Sequence, residues 1–138
     1  MDELYREMGE VIAAQVMPII LEPPSGASWK EKLFDIADRR AMVFETILPY
    51  RISANLKRFQ SPYLMQDYRR MLRLESDTTE AHLPVSVKAD VAGTRSLNVI
   101  LSFQTWRLLR HDQELPFEDA KAVVRRLLSD AMSGMPED

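Results

Sequence analysis

His82, His111 and the carboxylate of Asp112 beside the second histidine come nearest, in this chain of 138 residues, to a grouping that could do acid–base chemistry or hold a metal. A histidine next to an aspartate resembles a base and its orienter, but catalysis needs a group for that base to act on. The sequence contains no G-x-S-x-G elbow, no H-E-x-x-H zinc helix and no glycine-rich loop for a phosphate. It contains no cysteine either, which excludes disulfides, thiolate nucleophiles and thiolate metal sites and fits a reducing compartment. The two histidines lie far apart in the chain, so a shared metal is not expected. His111 and Asp112 are therefore read as solvated residues at a helix end, with no catalytic residue, metal or cofactor expected. The arginine pairs Arg39-Arg40, Arg69-Arg70 and Arg125-Arg126 are the remaining clusters that could grip a phosphate. Carboxylates are interspersed among them, and paired charges are ordinary on the polar face of a helix, so they are read as solvated faces.

Composition narrows the class. A chain of this length forms one domain, residues 1–138, around one core. With 46% hydrophobic and 28% charged residues it has a globular balance, and no apolar run approaches the ~20 residues of a membrane span. The acidic, polar start MDELYREM lacks the features of a secretory signal, so a cytoplasmic location without membrane association is expected. Eighteen basic against 21 acidic side chains leave a net charge of −3. Duplex binding is driven by neutralising roughly 6–10 phosphates, so this chain alone is not expected to bind DNA.

Helix formers dominate, and β-branched alternation occurs only around Pro84-Val85-Ser86-Val87. Leu4, Met8, Val11, Ile12 and Val16 predict an amphipathic helix over 2–17 that Pro18 interrupts. After the Glu22–Ala27 loop, Ser28 and Glu31 form a capping box for a helix of about five turns ending at Pro49. The stretch 51–58 reads as one or two further turns. Ser61-Pro62 predicts the start of a helix over 62–76. From Ala89 to Asp112, Val99, Phe103 and Trp106 mark one face and Leu97, Leu101 and Leu108 another, too much apolar circumference for a single core. A last helix runs from Phe117 to Met132, and the tail from Ser133 reads as a frayed end. The result is an all-α, antiparallel bundle of about five to six helices.

The segment LSFQTWRLLRHDQELPFEDAKAVVRRLL resembles the last two helices of TetR/AcrR-type transcriptional regulators, through Ser102, Phe103, Trp106, Leu109, Asp112, Leu115 and Ala120. The earlier rhythm is similar to that family as well: a proline-rich loop before Ser28, a long helix ending RAMVFETILPYR, an arginine-bearing turn and the SPYL start. The resemblance implies a C-terminal effector-binding and dimerisation domain, without the helix-turn-helix that precedes it in the family. In such a domain antiparallel helices enclose an effector pocket, and the last two helices of two subunits pack as a four-helix bundle. The front of the chain departs from the family pattern, because Met1 lies about where its linking helix would begin.

These readings place the expected sites. Met8, Ile12, Phe34, Met65, Tyr68, Phe103 and Trp106 fall on the inward faces of the four segments that would surround a pocket, which makes them the candidates for binding a small apolar or amphipathic effector. Leu97, Leu101, Leu108, Val124, Leu127 and Leu128 are the candidates for a homodimer contact, since the two helices bearing them call for a second partner. The expected function is that of an effector-sensing, homodimerising, non-enzymatic regulator domain. The rival readings are a stand-alone helical carrier or enzyme and a solid-cored interaction module.

Overall fold

The computed structural model covers residues 1–138 and contains seven α-helices and no strand. The first helix, α1 (Asp2–Leu21), runs through Pro18, and α2 (Trp29–Leu56) runs through Pro49. Both therefore continue past the prolines that were expected to end them. A proline removes one ladder donor and costs about 3 kcal/mol in a helix interior, but packing can outweigh that. Beyond Pro49 lie Tyr50, Ala54 and Asn55, all buried, and beyond Pro18 lie Ile19 and Ile20, packed against the core.

Local signals set the starts. The Glu31 amide donates to Ser28 Oγ over 3.2 Å, and Glu31 Oε2 in turn accepts from the Ala27 amide at 2.7 Å. The capping box is thus present with its return bond moved one residue back. After a single 3-10 turn (Arg58–Gln60), Ser61 Oγ caps α3 (Pro62–Glu80) by accepting from the Leu64 amide, and donates to Asp2 Oδ1 at 2.8 Å. One cap thereby fastens α3 to the first turn of α1.

The expected continuous helix from 89 to 112 is broken. A short turn α4 (Val85–Lys88) precedes α5 (Val91–Ile100), and α6 (Phe103–Arg107) follows only after Leu101-Ser102, ending in a π turn over Leu108–Asp112. Ser102 has an extended backbone, ψ 156°, and its Oγ accepts from the Thr105 amide, so it acts as a second N-cap inside the apolar stretch. The break rotates the face carrying Phe103 and Trp106 into the centre. The last helix, α7 (Phe117–Met132), spans the expected residues.

Helix α2 is axial: α1, α3, α6 and α7 all pack on it, and α5 packs on α3 and α7. The main core joins Leu33, Ala41 and Phe44 of α2 to Leu97, Trp106 and Leu128. A smaller cluster of Tyr5, Tyr50, Ala54 and Leu64 closes the end where α1 begins. The tail is tied down rather than frayed. Trp29 Nε1 donates to the Pro136 carbonyl at 3.1 Å, and Lys30 Nζ reaches the Met135 carbonyl at 2.9 Å and Glu137 at 3.1 Å. No helix is long and apolar enough to cross a membrane.

Candidate functional site

Helices α1 and α3 flank α2 and share no extended contact with each other, so a trough lies between them with α2 as its floor. One end is closed by the bond between Ser61 and Asp2 and by Arg6, whose guanidinium carbon lies 4.7 Å from the centre of the Tyr63 ring. From there a cavity of about 410 Å³ extends between Ile12 and Val16 of α1, Ile47 and Tyr50 of α2, and Met71 and Leu74 of α3. A second cavity of about 410 Å³, bordered by Ile19, Ile36 and His82, continues it toward the α1–α2 loop. Ile20 and Val43 belong to both, so they form the waist of one elongated feature. Volumes of this order, apolar walls and a few convergent polar groups are what small-molecule sites share.

The polar groups differ between the two ends. At the α1-start end, Arg51 is buried and donates from Nη1 to Asp67 Oδ2 at 2.9 Å, while its Nε is buried without a partner. Asp67 also receives Arg70 at 3.4 Å, and Arg6 and Glu10 line the same cavity. The Tyr50 hydroxyl donates to the Tyr5 carbonyl at 3.1 Å, and burial raises its pKa above the ordinary tyrosine value. At the opposite end the guanidiniums are already engaged. Arg39 donates to the carbonyls of Glu22, at 2.5 Å, and Pro23, at 2.8 Å, and pairs with Asp35. Arg40 donates to the carbonyls of Leu101 and Glu75 and to Thr78 Oγ1 at 2.7–3.0 Å. Burial pushes the Arg40 pKa down to about 10, against the pull of the nearby Glu75 charge. His82 is also held below its usual value by burial and by Lys32. Arg39 and Arg40 are therefore structural ties that fasten the α1–α2 loop, α3 and the end of α5 to α2, in contrast to the solvated face expected of them.

Of the seven residues expected to line a pocket, Ile12 alone borders the trough. Met8 is on the outer side of α1, where with Leu4 and Val11 it borders a shallower crevice. Phe34 lies under the Arg125 guanidinium, 4.8 Å away, on the α7 side. Met65 is half-buried on α3, and Tyr68 lies beneath Arg58, 4.5 Å from its ring centre. Phe103 and Trp106 are buried in the core, each edge-on to another ring, Phe44 at 5.5 Å and Phe117 at 5.7 Å. They fill the interior because the break at Ser102 turns them onto α2. The signal for the trough was present but unread: Arg51 and Asp67 stand about equally far on either side of the Lys57–Ser61 turn, where two antiparallel helices bring opposite charges together.

The six expected dimer residues also divide. Leu97, Leu101 and Leu128 are at most 2% exposed, and Val124 is buried as well, because α6 and α7 pack on α2 and α5 packs on α3, α6 and α7 within this chain. These four have almost no surface left to present to a partner. Leu108 and Leu127 remain exposed, at 45% and 42%. His111 Nδ1 lies 3.0 Å from Asp112 Oδ1 in an exposed position, and no group of three or more His, Asp or Glu side chains is arranged to hold a metal ion. Compared with known protein families, curated proteins and solved structures, the chain shows no significant match.

Proposed function

We propose that this chain is the effector-sensing and homodimerising domain of a TetR-like transcriptional regulator, with the trough between α1 and α3 as the effector site. One observation carries the reading: an elongated apolar trough, in cavities of about 410 Å³ each, with a buried and incompletely paired arginine at one end. A solid interaction module has no use for such a space. The polar groups around it are guanidiniums, carboxylates, the hydroxyls of Tyr50, Tyr63 and Thr78 and the His82 imidazole, and they suit holding a molecule. The resemblance of the segment from Leu101 to Leu128 to the closing helices of that family supplies the regulatory half of the proposal.

The mechanism is a population shift. Helix α1 touches α2 along its length but meets α3 chiefly at its first turns, through Ser61, Asp2, Arg6 and Tyr63. A molecule filling the trough contacts both walls at once, so it favours one spacing of α1 and α3 by its difference in affinity for the two arrangements. In a dimeric regulator that spacing would be passed on to two DNA-reading heads.

The test is uptake of N-phenylnaphthylamine, a neutral fluorophore that brightens in apolar surroundings, by the wild-type chain and by Ala13→Trp. Ala13 borders the cavity with an exposed side chain, so a tryptophan there fills the opening without disturbing the core. Saturable uptake near one probe per chain, lost in Ala13→Trp at unchanged circular dichroism, is the expected result. Absence of uptake, or uptake indifferent to Ala13→Trp, would remove the trough as the effector site.

A further inference from the structure

We infer that the trough's ligand is an amphipathic monoanion, a carboxylate head on a linear apolar tail, seated with its head at the Arg6–Arg51–Arg70 end. This rests on the trough being the ligand site and goes on to name the ligand's chemistry and direction. Three guanidiniums, Arg6, Arg51 and Arg70, border that cavity with two carboxylates, Glu10 and Asp67, one positive charge in surplus among its lining, while Glu75 behind Arg51 is shared between Arg51 and Arg40. A monoanion balances that surplus, which a neutral or cationic molecule would leave standing. The surplus is also positioned. Arg51 has a side chain only 9% exposed, it spends one nitrogen on Asp67, and its Nε has no partner. A carboxylate oxygen is the natural acceptor for such a donor, because charge-assisted bonds to guanidinium are the strongest a carboxylate makes.

The far end offers no equivalent. There the donors of Arg39 and Arg40 already go to carbonyls, a hydroxyl and Asp35, His82 is held toward its neutral form by burial, and Asp77 adds a negative charge to the lining. With Glu22 and Asp77 against Arg39 and Arg40 the far lining is balanced in charge, so an anionic head is drawn to one end and finds neither surplus charge nor a free donor at the other. Between the ends the walls are apolar, and the distance along α1 from Arg6 to Ile20 is roughly 20 Å at helical rise. That space is drawn out along α1, two cavities joined at Ile20 and Val43, which suits an extended alkyl tail passing that waist. A tail also explains the two cavities in series: the first holds the head and the first carbons, the second the remainder.

The experiment is calorimetric titration of the full chain with dodecanoate and with dodecanol, below micellar concentrations, in the wild type and in the double variant Arg6→Gln/Arg70→Gln. Both arginines are exposed, so their loss leaves the fold intact, which circular dichroism verifies. Dodecanoate is expected to bind one per chain about tenfold or more tighter than dodecanol, and the double variant to shrink that ratio toward one. A second variant tests the direction: Ile20→Trp narrows the waist and is expected to weaken hexadecanoate while sparing octanoate. Equal affinity for acid and alcohol, a ratio that survives the double variant, or an Ile20→Trp effect on octanoate as large as on hexadecanoate would overturn the inference while leaving the trough a ligand site. Uptake of N-phenylnaphthylamine without binding of dodecanoate would overturn it too. Loss of uptake as well would mean that the site itself, and not only its head-group preference, is wrong.

Discussion

At the scale of single residues, the charged groups that matter are those that tie one element to another. Glu45 accepts from Trp106 Nε1 at 2.9 Å and from the Arg110 guanidinium, which also donates to the Leu115 carbonyl, so one carboxylate joins α2 to α6 and to the turn before α7. Burial pushes its pKa up, but the bonds from Arg110 and Trp106 outweigh burial and hold it below the usual carboxylate value near 4.5. A carboxylate whose folded pKa is depressed stabilises the fold above its unfolded pKa, and that contribution is lost as pH falls through the folded pKa. Glu45→Gln, which keeps an acceptor for Trp106 but removes the charge, is expected to cost about 1 kcal/mol at neutral pH. That cost should fade as pH falls through the depressed pKa of the folded carboxyl, below its ordinary value, where the wild-type side chain itself becomes neutral. Thermal melts of both chains across pH 3–7, a window bracketing ordinary carboxylate titration, check it, and a pH-independent difference would contradict it. Glu75 has the opposite sign: burial raises its pKa despite Arg40 and the Phe103 amide, so its contribution to stability declines as pH rises above the ordinary value. The steepness of the acid limb is therefore a sum of opposing slopes, which is why the Glu45 variant must be compared with the wild type at each pH.

At the scale of elements, the tension is between local grammar and burial. Pro49 lies inside α2, where it cannot donate to the carbonyl one turn back, yet the helix continues because Tyr50, Arg51, Ala54 and Asn55 are buried beyond it. Its own side chain is exposed. Pro49→Ala is accordingly expected to stabilise the chain by roughly 1 kcal/mol, part of the ~3 kcal/mol that proline costs in a helix interior. A rise in the denaturant midpoint at constant slope is the signature, and a fall would mean that the proline at 49 itself helps to seat Tyr50 against Tyr5. Ser102 shows the reverse outcome: there the local preference wins, because a serine cap breaks the apolar stretch and Arg40 supplies a donor to the Leu101 carbonyl exposed by the break. Prolines were thus overruled and a serine was not. The difference is that continuing past Ser102 as one straight helix would have turned Phe103 and Trp106 away from α2.

At the scale of the whole molecule, this chain satisfies most of its apolar surface by itself. The faces of α5 and α7 that the sequence marked for a partner are partly spent inside, leaving Leu108, Leu127 and, on α5, Val91 and Val99 exposed. The proposed homodimer is therefore placed on this second set of side chains. Light scattering behind a sizing column is expected to return twice the chain mass of 15.9 kDa at micromolar concentration, falling to the single mass in Leu108→Glu/Leu127→Glu without loss of helicity. Both residues are exposed, so the charges cost the fold little but would be buried in a bundle interface, where an unpaired charge is strongly unfavourable. A wild type that stays monomeric on concentration would separate the ligand trough from the regulator reading and favour a carrier. A double variant that stays dimeric would move the interface elsewhere.

Whatever depends on neighbours along the chain is legible in the amino-acid order: the all-helical class, the starts at Ser28 and Ser61, and the span of α7 from Phe117 to Met132. Caps and amphipathic periods act over three or four residues, so they can be read without knowing the partner. Periodicity also showed which residues are apolar, but not which apolar face meets which helix. The tertiary structure alone decided that Leu97, Leu101 and Leu128 belong to the core and Leu108 and Leu127 to the surface, that Phe103 and Trp106 are filler, and that Arg40 is a buried tie. It alone decided that α1 and α3 stand apart. A cavity is the space between elements distant in sequence, and no local pattern records a contact that is not made.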